Sequence, residues 1–218
     1  MKFHNLKNNI KRIYYAKDLF LLKRKFKCLK NKNILLIGSG PNVTFDIKHI
    51  QNLSIVCCNG SGSYLKNKNL KINPLLTIVD NELIDRDIVF KKNVRSQIIN
   101  NKLLKSSNLG NLISVQSNKS KNSDPSLLEA SYDSFNYINK NLRRLIVNKV
   151  VNTNFIEIND QSLLSTGIFA ISLCFYLGAS SVFFTGFSLW KNKKDYFYSI
   201  KEKSDKDYLV RNHSLADS

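Results

Sequence analysis

One stretch constrains the fold more than any other: LSTGIFAISLCFYLGASSVFFTGFSLW, from Leu164 to Trp190. Ser165, Thr166 and Gly167 form a small-residue turn, and Ile168 to Leu177 is apolar nearly all round, with Ser172 the main exception. A helix with no polar face belongs inside a domain. Ser165 or Thr166 suits its N-cap, and Gly178 suits the left-handed position just past its end. Ser181 to Thr185 reads as a short apolar strand, and Gly186-Phe187-Ser188 as the turn leaving it. The helix start aims backbone N–H groups and hydroxyls forward, an arrangement that favours an anion. Taken alone, the stretch is equally a capped core helix.

A second glycine turn raises the stakes. Asn33-Ile34-Leu35-Leu36-Ile37 reads as a buried strand, followed by Gly38-Ser39-Gly40-Pro41-Asn42 and a predicted helix from Val43 to Ile50. Strand, glycine turn and helix are how a nucleotide-binding α/β domain commonly begins. The turn is not the dinucleotide fingerprint, because a third glycine is missing, and it is not a P-loop, because no Gly-Lys-Ser/Thr follows. Ser54 to Cys58 is a second strand ending at Asn59-Gly60, and Leu75 to Val79 a third ending at Asp80-Asn81. Polar residues thus stand at the carboxyl ends of three strands, where open α/β sheets bind ligands. Gly and Asn are also ordinary turn formers, so each position has a structural reading beside the functional one.

The middle of the chain gives plausible strands at Val94 to Ile99 and Leu112 to Gln116. A helix is expected from Ser126 towards Tyr137, and one or two strands or a short connection between Val147 and Ile158. Asp85-Arg86-Asp87 has the acid-x-acid form of metal-dependent glycosyltransferases, but no other metal ligand lies nearby, and no metal site is assigned. Lys191 to Arg211 is polar and dotted with aromatics, a length that fits a lid or binding loop. His213 follows it and is the candidate general base.

Charge and cysteines narrow the setting. Lys and Arg number 34 against 16 Asp and Glu, a net +18, which calls for an anionic partner. Residues 1–32 hold eleven of these cations and one acid, Asp18. Within them Tyr15, Leu19, Leu22, Phe26 and Leu29 are spaced 4, 3, 4, 3, an apolar stripe on a basic helix. Such a helix suits an anionic membrane surface, or it packs on the protein's own core or on a partner helix; the spacing serves each of these. Cys28, Cys57, Cys58 and Cys174 lack metal-ligand spacing, and Cys57 and Cys58 would point to opposite faces of a strand. They read as reduced thiols of a cytosolic protein. No apolar run reaches the ~20 residues of a membrane span, and no signal-peptide core opens the chain.

In order and type, these features resemble the bacterial sialyltransferases of glycosyltransferase family 42, with a fainter similarity to the animal-type family 29. The resemblance covers about residues 33–218. Gly38-Ser39-Gly40-Pro41 resembles the family's first glycine turn, and Cys58-Asn59 its Cys-Asn after the second strand. Ser165-Thr166-Gly167 with Gly186 resembles its Thr-Ser-Gly helix, strand and glycine turn. Trp190 and Tyr196 fall where the family has two phosphate-contacting tyrosines, and His213-Ser214 resembles its catalytic His-Ser. The resemblance implies that Gly38, Ser39, Gly40, Asn59, Asp80, Ser165, Thr166 and Gly167 surround the CMP of a CMP-activated sugar acid. Tyr196 and Trp190 would bond the departing phosphate, and His213 would take the acceptor proton. No metal or other cofactor is implied. The chain departs from the pattern at Ser39 and Asp80, each replacing a family Asn, and at Leu163, replacing an Arg near the acceptor. The family continues with helix and strand beyond its histidine, whereas five residues follow His213, so a trimmed or truncated relative is expected.

The expectation is therefore a Rossmann-like α/β domain at 33–218, mostly parallel, with a lid at 191–211 and a basic helical arm at 1–32. It would transfer a sialic-acid-type sugar from a CMP-sugar to a glycan or glycolipid hydroxyl, peripheral to the cytoplasmic face of the membrane, with the arm on anionic lipid. A homo-oligomer is left open, and no nucleic acid is expected. Two alternatives stand beside it. One is a pterin-diphosphokinase-like enzyme using ATP and magnesium, which needs Asp80 and Asp85 to converge. The other is a non-catalytic basic protein bound to nucleic acid or membrane.

Overall fold

The computed structural model describes residues 15–40, 43–44, 50–67, 70, 72–85, 103–116, 123–152 and 164–187. Its strands are β1 (Asn33–Ile37), β2 (Ser54–Cys58), β3 (Leu76–Asp80), β4 (Asn111–Val115), β5 (Ser134–Ile138) and β6 (Ser181–Thr185). They form one sheet in the order β5-β4-β3-β2-β1-β6, every pairing parallel. The expected parallel α/β class is therefore what the chain adopts. Helices are α1 (residues 15–25), α2 (Ser63–Asn67), α3 (Lys140–Val151) and α4 (Thr166–Tyr176).

The strands explain their own legibility. β1 to β4 are buried on both faces, so they read as near-continuous apolar runs. Ile34, Leu36, Val56, Cys58, Ile78, Ile113 and Val115 face one core with α1, α3 and α4. Leu35, Ile37, Ile55 and Cys57 face the other, against Val43, Ile50 and Leu65. Cys57 and Cys58 thus point to opposite faces as expected, and burial pushes the Cys57 thiol up to about 12.

Two expectations in the middle of the chain are corrected. Pro125–Leu128 is a single 3-10 turn, and Glu129 leaves it in the left-handed region at φ 47°, so no helix continues to Tyr137. Ser134–Ile138 is instead β5, held by its ladder with β4. Val147–Val151, expected as strand or connection, is the last part of α3. Asn139 caps that helix by accepting from Leu142 N at 2.9 Å, and Leu142 and Ile146 bury its inner face. The predicted strand Val94–Ile99, most of the predicted helix Val43–Ile50 and the expected lid at 191–211 lie outside the described residues.

The stripe of α1 has found its partner. Leu19, Leu22, Phe26 and Leu29 are at most 5% exposed and sit in the main core with α3, α4 and the sheet. Tyr176 Oη on α4 donates to Leu19 O at 3.4 Å, and Lys23 stands over the Tyr176 ring at 4.6 Å. Of the uses the spacing allowed, these four side chains take the protein's own core.

Candidate active site

The chain leaves β1 towards β2 and returns as β6 on the other side of β1, so the sheet has its switch point at the β1–β6 seam. Crevices that bind ligands in open α/β sheets lie at the carboxyl ends of the strands at such a point. Here Gly38 N donates to Thr185 O at 2.8 Å, and Gly40 N to Gly186 O at 2.6 Å, extending the pairing past both strands. Gly186 has φ 76°, a conformation that costs a side-chain-bearing residue. Thr185 Oγ1 ties the next loop down, accepting from Thr44 N at 2.9 Å.

Ser39, Asn59, Asp80 and Thr166 converge above the neighbouring strand ends. Ser39 Oγ donates to Cys58 O at 3.2 Å, joining the glycine turn to the end of β2. Asn59 follows β2 in the left-handed region, at φ 50°, and its Oδ1 accepts from Asp80 N at 2.9 Å. Asp80 closes β3; its Oδ1 accepts from Glu82 N at 2.9 Å, capping the 3-10 turn Asn81–Ile84. Thr166 Oγ1, on the first turn of α4, donates to Asp80 Oδ2 at 3.4 Å. Ser165 is the residue that caps α4, accepting from Ile168 N at 3.3 Å, which leaves the Thr166 hydroxyl to the strand ends.

Gly38 and Gly167 meet across a single aromatic ring. A Cβ on Gly38 would lie 3.0 Å from the Phe187 ring, and one on Gly167 only 2.5 Å from it. The late turn and the early glycine turn are therefore neighbours, as expected. The close approach the two glycines allow is to Phe187 in this structure, rather than to an open space for a phosphate.

Charge at the site is set by burial. The Asp80 carboxyl is pushed up to about 7 by desolvation, with the Glu82 carboxylate adding to the rise. The Glu82 N–H, the Arg143 guanidinium and the Thr166 hydroxyl pull it the other way. Arg143 is 3% exposed, donates from Nη1 to Gln116 O at 3.2 Å, and lies over the Phe169 ring of α4 at 5.3 Å. A carboxyl near half-protonation at pH 7 lessens the repulsion that a fixed negative charge would give an anionic ligand.

This shift has a measurable consequence. The folded carboxyl holds its proton to higher pH than the unfolded one, whose ordinary value is ~3.9. The folded state therefore binds more protons between about pH 4 and 7, and stability falls as pH rises through that window, then levels off. Asp80→Asn should remove the slope. The variant is expected to match the parent near pH 4 and to exceed it at pH 8 by on the order of 2 kcal/mol, allowing for the carboxyl's partial exposure. Urea midpoints at both pH values check it; parallel profiles for the two proteins would rule the assignment out.

Asp80 and Asp85 stand at the two ends of one 3-10 turn. Asp85 is buried, whereas Arg86 and Asp87 lie outside the described residues. Trp190, Tyr196 and His213 also lie outside them. Sequence reasoning missed Ser61, whose buried hydroxyl donates to Ile37 O at 2.7 Å and accepts from Cys58 N at 3.0 Å, locking the ends of β1 and β2. It also missed Arg143, which nothing in the basic run Asn139–Arg144 separates from a surface cation, and the ring of Phe187.

Fold and cluster together define a parallel α/β protein with polar residues gathered at the carboxyl ends of β1, β2 and β3, beside its switch point. No protein-family model matches the chain, and no curated protein matches it by sequence. Among solved structures the chain is similar to the sialyltransferase CstII from Campylobacter jejuni in complex with cytidine-5'-monophosphate. That match has 14% identity and a TM-score of 0.44, and covers 84% of this chain and 71% of the other. It is also similar to the monofunctional alpha-2,3-sialyltransferase Cst-I from the same organism, at 12% identity and a TM-score of 0.45, covering 82% of this chain and 63% of the other.

Proposed function

We propose that the protein is a glycosyltransferase of the sialyltransferase type, taking a CMP-activated sugar acid as donor and a glycan or glycolipid hydroxyl as acceptor. The observation that carries this reading is the convergence of Ser39, Asn59, Asp80 and Thr166, linked by hydrogen bonds at the ends of β1, β2 and β3 and the start of α4. Residues that the sequence resemblance assigns to the donor nucleotide, drawn from four separate stretches, are thereby neighbours.

The chemistry fits those residue types. Loss of CMP from the sugar passes through an oxocarbenium-like state in which charge grows on the departing phosphate. Hydroxyl, backbone N–H and helix-terminal donors stabilise that charge without a metal. Tyr196 and Trp190 would supply the remaining donors, and His213 the base, in one inverting displacement. A neutral imidazole, with an ordinary pKa of ~6.5, is suited to accept a hydroxyl proton near neutral pH.

Two measurements test the reading. CMP without magnesium should raise the melting temperature, and a CMP-sugar incubated with acceptor glycans should release free CMP. His213→Ala should cut that release by about 10²–10⁴-fold while CMP stabilisation persists. Stabilisation by ATP with magnesium alone would favour the pterin-diphosphokinase-type alternative instead. No response to any nucleotide would remove the enzyme reading.

A further inference from the structure

The membrane expectation rested on the stripe of α1 that the core has taken. The opposite face of the same helix tells a different story. Phe20 is 66% exposed and Leu21 46%, the two largest apolar side chains on the outer side. Lys17 lies one turn before them and Arg24 one turn after, both exposed, at the three- and four-residue spacings that place helix side chains side by side. Lys27, also exposed, opens the 3-10 turn Lys27–Leu29 that continues the segment past α1. The helix's acid, Asp18, is exposed beside Lys17 and is the one negative charge in this segment.

Not every cation of the helix is available to this face. Lys25 is engaged on the surface, donating to Phe135 O at 2.5 Å on β5, and Lys23 leans over the Tyr176 ring. What remains outward is a paired aromatic and aliphatic tip bracketed by Lys17 and Arg24. We propose that this outer face of α1 docks on an anionic lipid bilayer, with Phe20 and Leu21 entering the headgroup layer and Lys17, Arg24 and Lys27 pairing with lipid phosphates.

Charge selects this occupant over the others. A second copy would set cations against cations, which disfavours self-association through the same face. A nucleic acid would use the cations and the Phe20 ring but would gain nothing from burying Leu21. A bilayer uses both, because amphipathic surface helices combine apolar burial with attraction to anionic headgroups. Juxtamembrane cations each add roughly fivefold in partitioning.

The test is co-sedimentation of the full chain with vesicles of phosphatidylcholine alone or of phosphatidylcholine with phosphatidylglycerol at about 30%. Binding to the anionic vesicles is expected, with little to the neutral ones. Phe20→Ser/Leu21→Ser and Lys17→Glu/Arg24→Glu should each lower it at least tenfold. Both variants replace exposed side chains, so their unfolding midpoints should stay at the parent's value. Unchanged vesicle binding in the Phe20→Ser/Leu21→Ser protein would overturn the proposal. So would no parent binding to anionic vesicles. Retention on duplex DNA that the charge reversal abolishes, without matching vesicle binding, would assign the face to nucleic acid instead. None of these outcomes depends on the donor chemistry, so the enzyme reading and this one can fail separately.

Discussion

A Gly186→Ala protein is expected to lose about 2–5 kcal/mol of stability, and with it the β1–β6 seam beneath the candidate site. Two costs act at this position. The residue sits at φ 76°, where a Cβ costs roughly 1–2 kcal/mol. The new methyl would also lie 2.5 Å from Gly38 O and 2.8 Å from Val43 Cγ2. The first of these belongs to backbone whose N–H donates to Thr185 O at 2.8 Å across the β1–β6 seam, so it cannot step aside cheaply. Gly38→Ala meets the same contact from the other side, 2.6 Å from Gly186 O, without the left-handed penalty. It should therefore cost less. Gly62→Ala is the control, since its nearest neighbour would be Cys57 Sγ at an ordinary 3.7 Å. For a chain of this size the Gly186→Ala cost corresponds to a fall in melting temperature of roughly 10 °C. Any nucleotide stabilisation should shrink in parallel, because Gly186 leads directly into the Phe187 ring between Gly38 and Gly167. Equal melting temperatures for Gly186→Ala and Gly62→Ala would show that the seam tolerates a side chain, against the close packing of Gly186 on Gly38.

The parts of this fold that could be read in advance are those where one local rule decides. β1, β2 and β6 are short apolar runs bounded by glycine or asparagine, and α4 is apolar all round between Ser165 and Gly178. Burial on both faces fixes β1 and β2, whereas β6 and α4 are fixed by the glycine and serine that bound them, with Phe183, Phe184 and Phe175 left exposed. β5 was not legible, because Pro125 signals a helix start and Ser134-Phe135-Asn136-Tyr137-Ile138 mixes polar and aromatic residues as a half-exposed edge strand does. Only its ladder with β4 decides the matter, and no local pattern contains that partner. α3 misled for the opposite reason. Its Val147, Val150 and Val151 favour strands by propensity, while Asn139 and the Leu142–Ile146 spacing impose a helix through capping and packing. At the site, Asn59, Asp80 and Thr166 were visible as polar residues at strand ends and a helix start. That Thr166 would spend its hydroxyl on Asp80, 86 residues away, and that Phe187 would reach Gly38 from still farther along the chain, depends on contacts no local pattern contains. Arg143 shows the same limit, since a buried guanidinium and an exposed one are spelled alike.

Deleting residues 1–32 is expected to unfold the protein rather than release a detachable arm. Sequence reasoning allowed the opposite, since a basic amphipathic segment ahead of the first strand can be an appendage. The positions of Leu19, Leu22, Phe26 and Leu29 argue against that. All four are 0–5% exposed and touch the same core as Ile34, Leu36, Leu142, Phe169 and Leu173. Burying such side chains contributes about 1.5–3 kcal/mol each, so the four together supply about 6–12 kcal/mol. That is comparable with the ~5–15 kcal/mol by which a domain is stable at all. The backbone adds to it, with Asn31 N donating to Gly178 O and Ser180 N to Lys32 O at 2.9 Å each, joining the segment to the turn before β6. A graded version isolates the packing contribution: Phe26→Ala, at a side chain with no exposure, should cost about 3–5 kcal/mol. Near-ultraviolet circular dichroism and urea titration of the truncated chain are the direct measurements. Loss of the cooperative transition is the expected result. A truncated protein with the parent's midpoint and an intact near-ultraviolet spectrum would mean that these side chains cover a core able to close without them, and α1 would be an appendage after all.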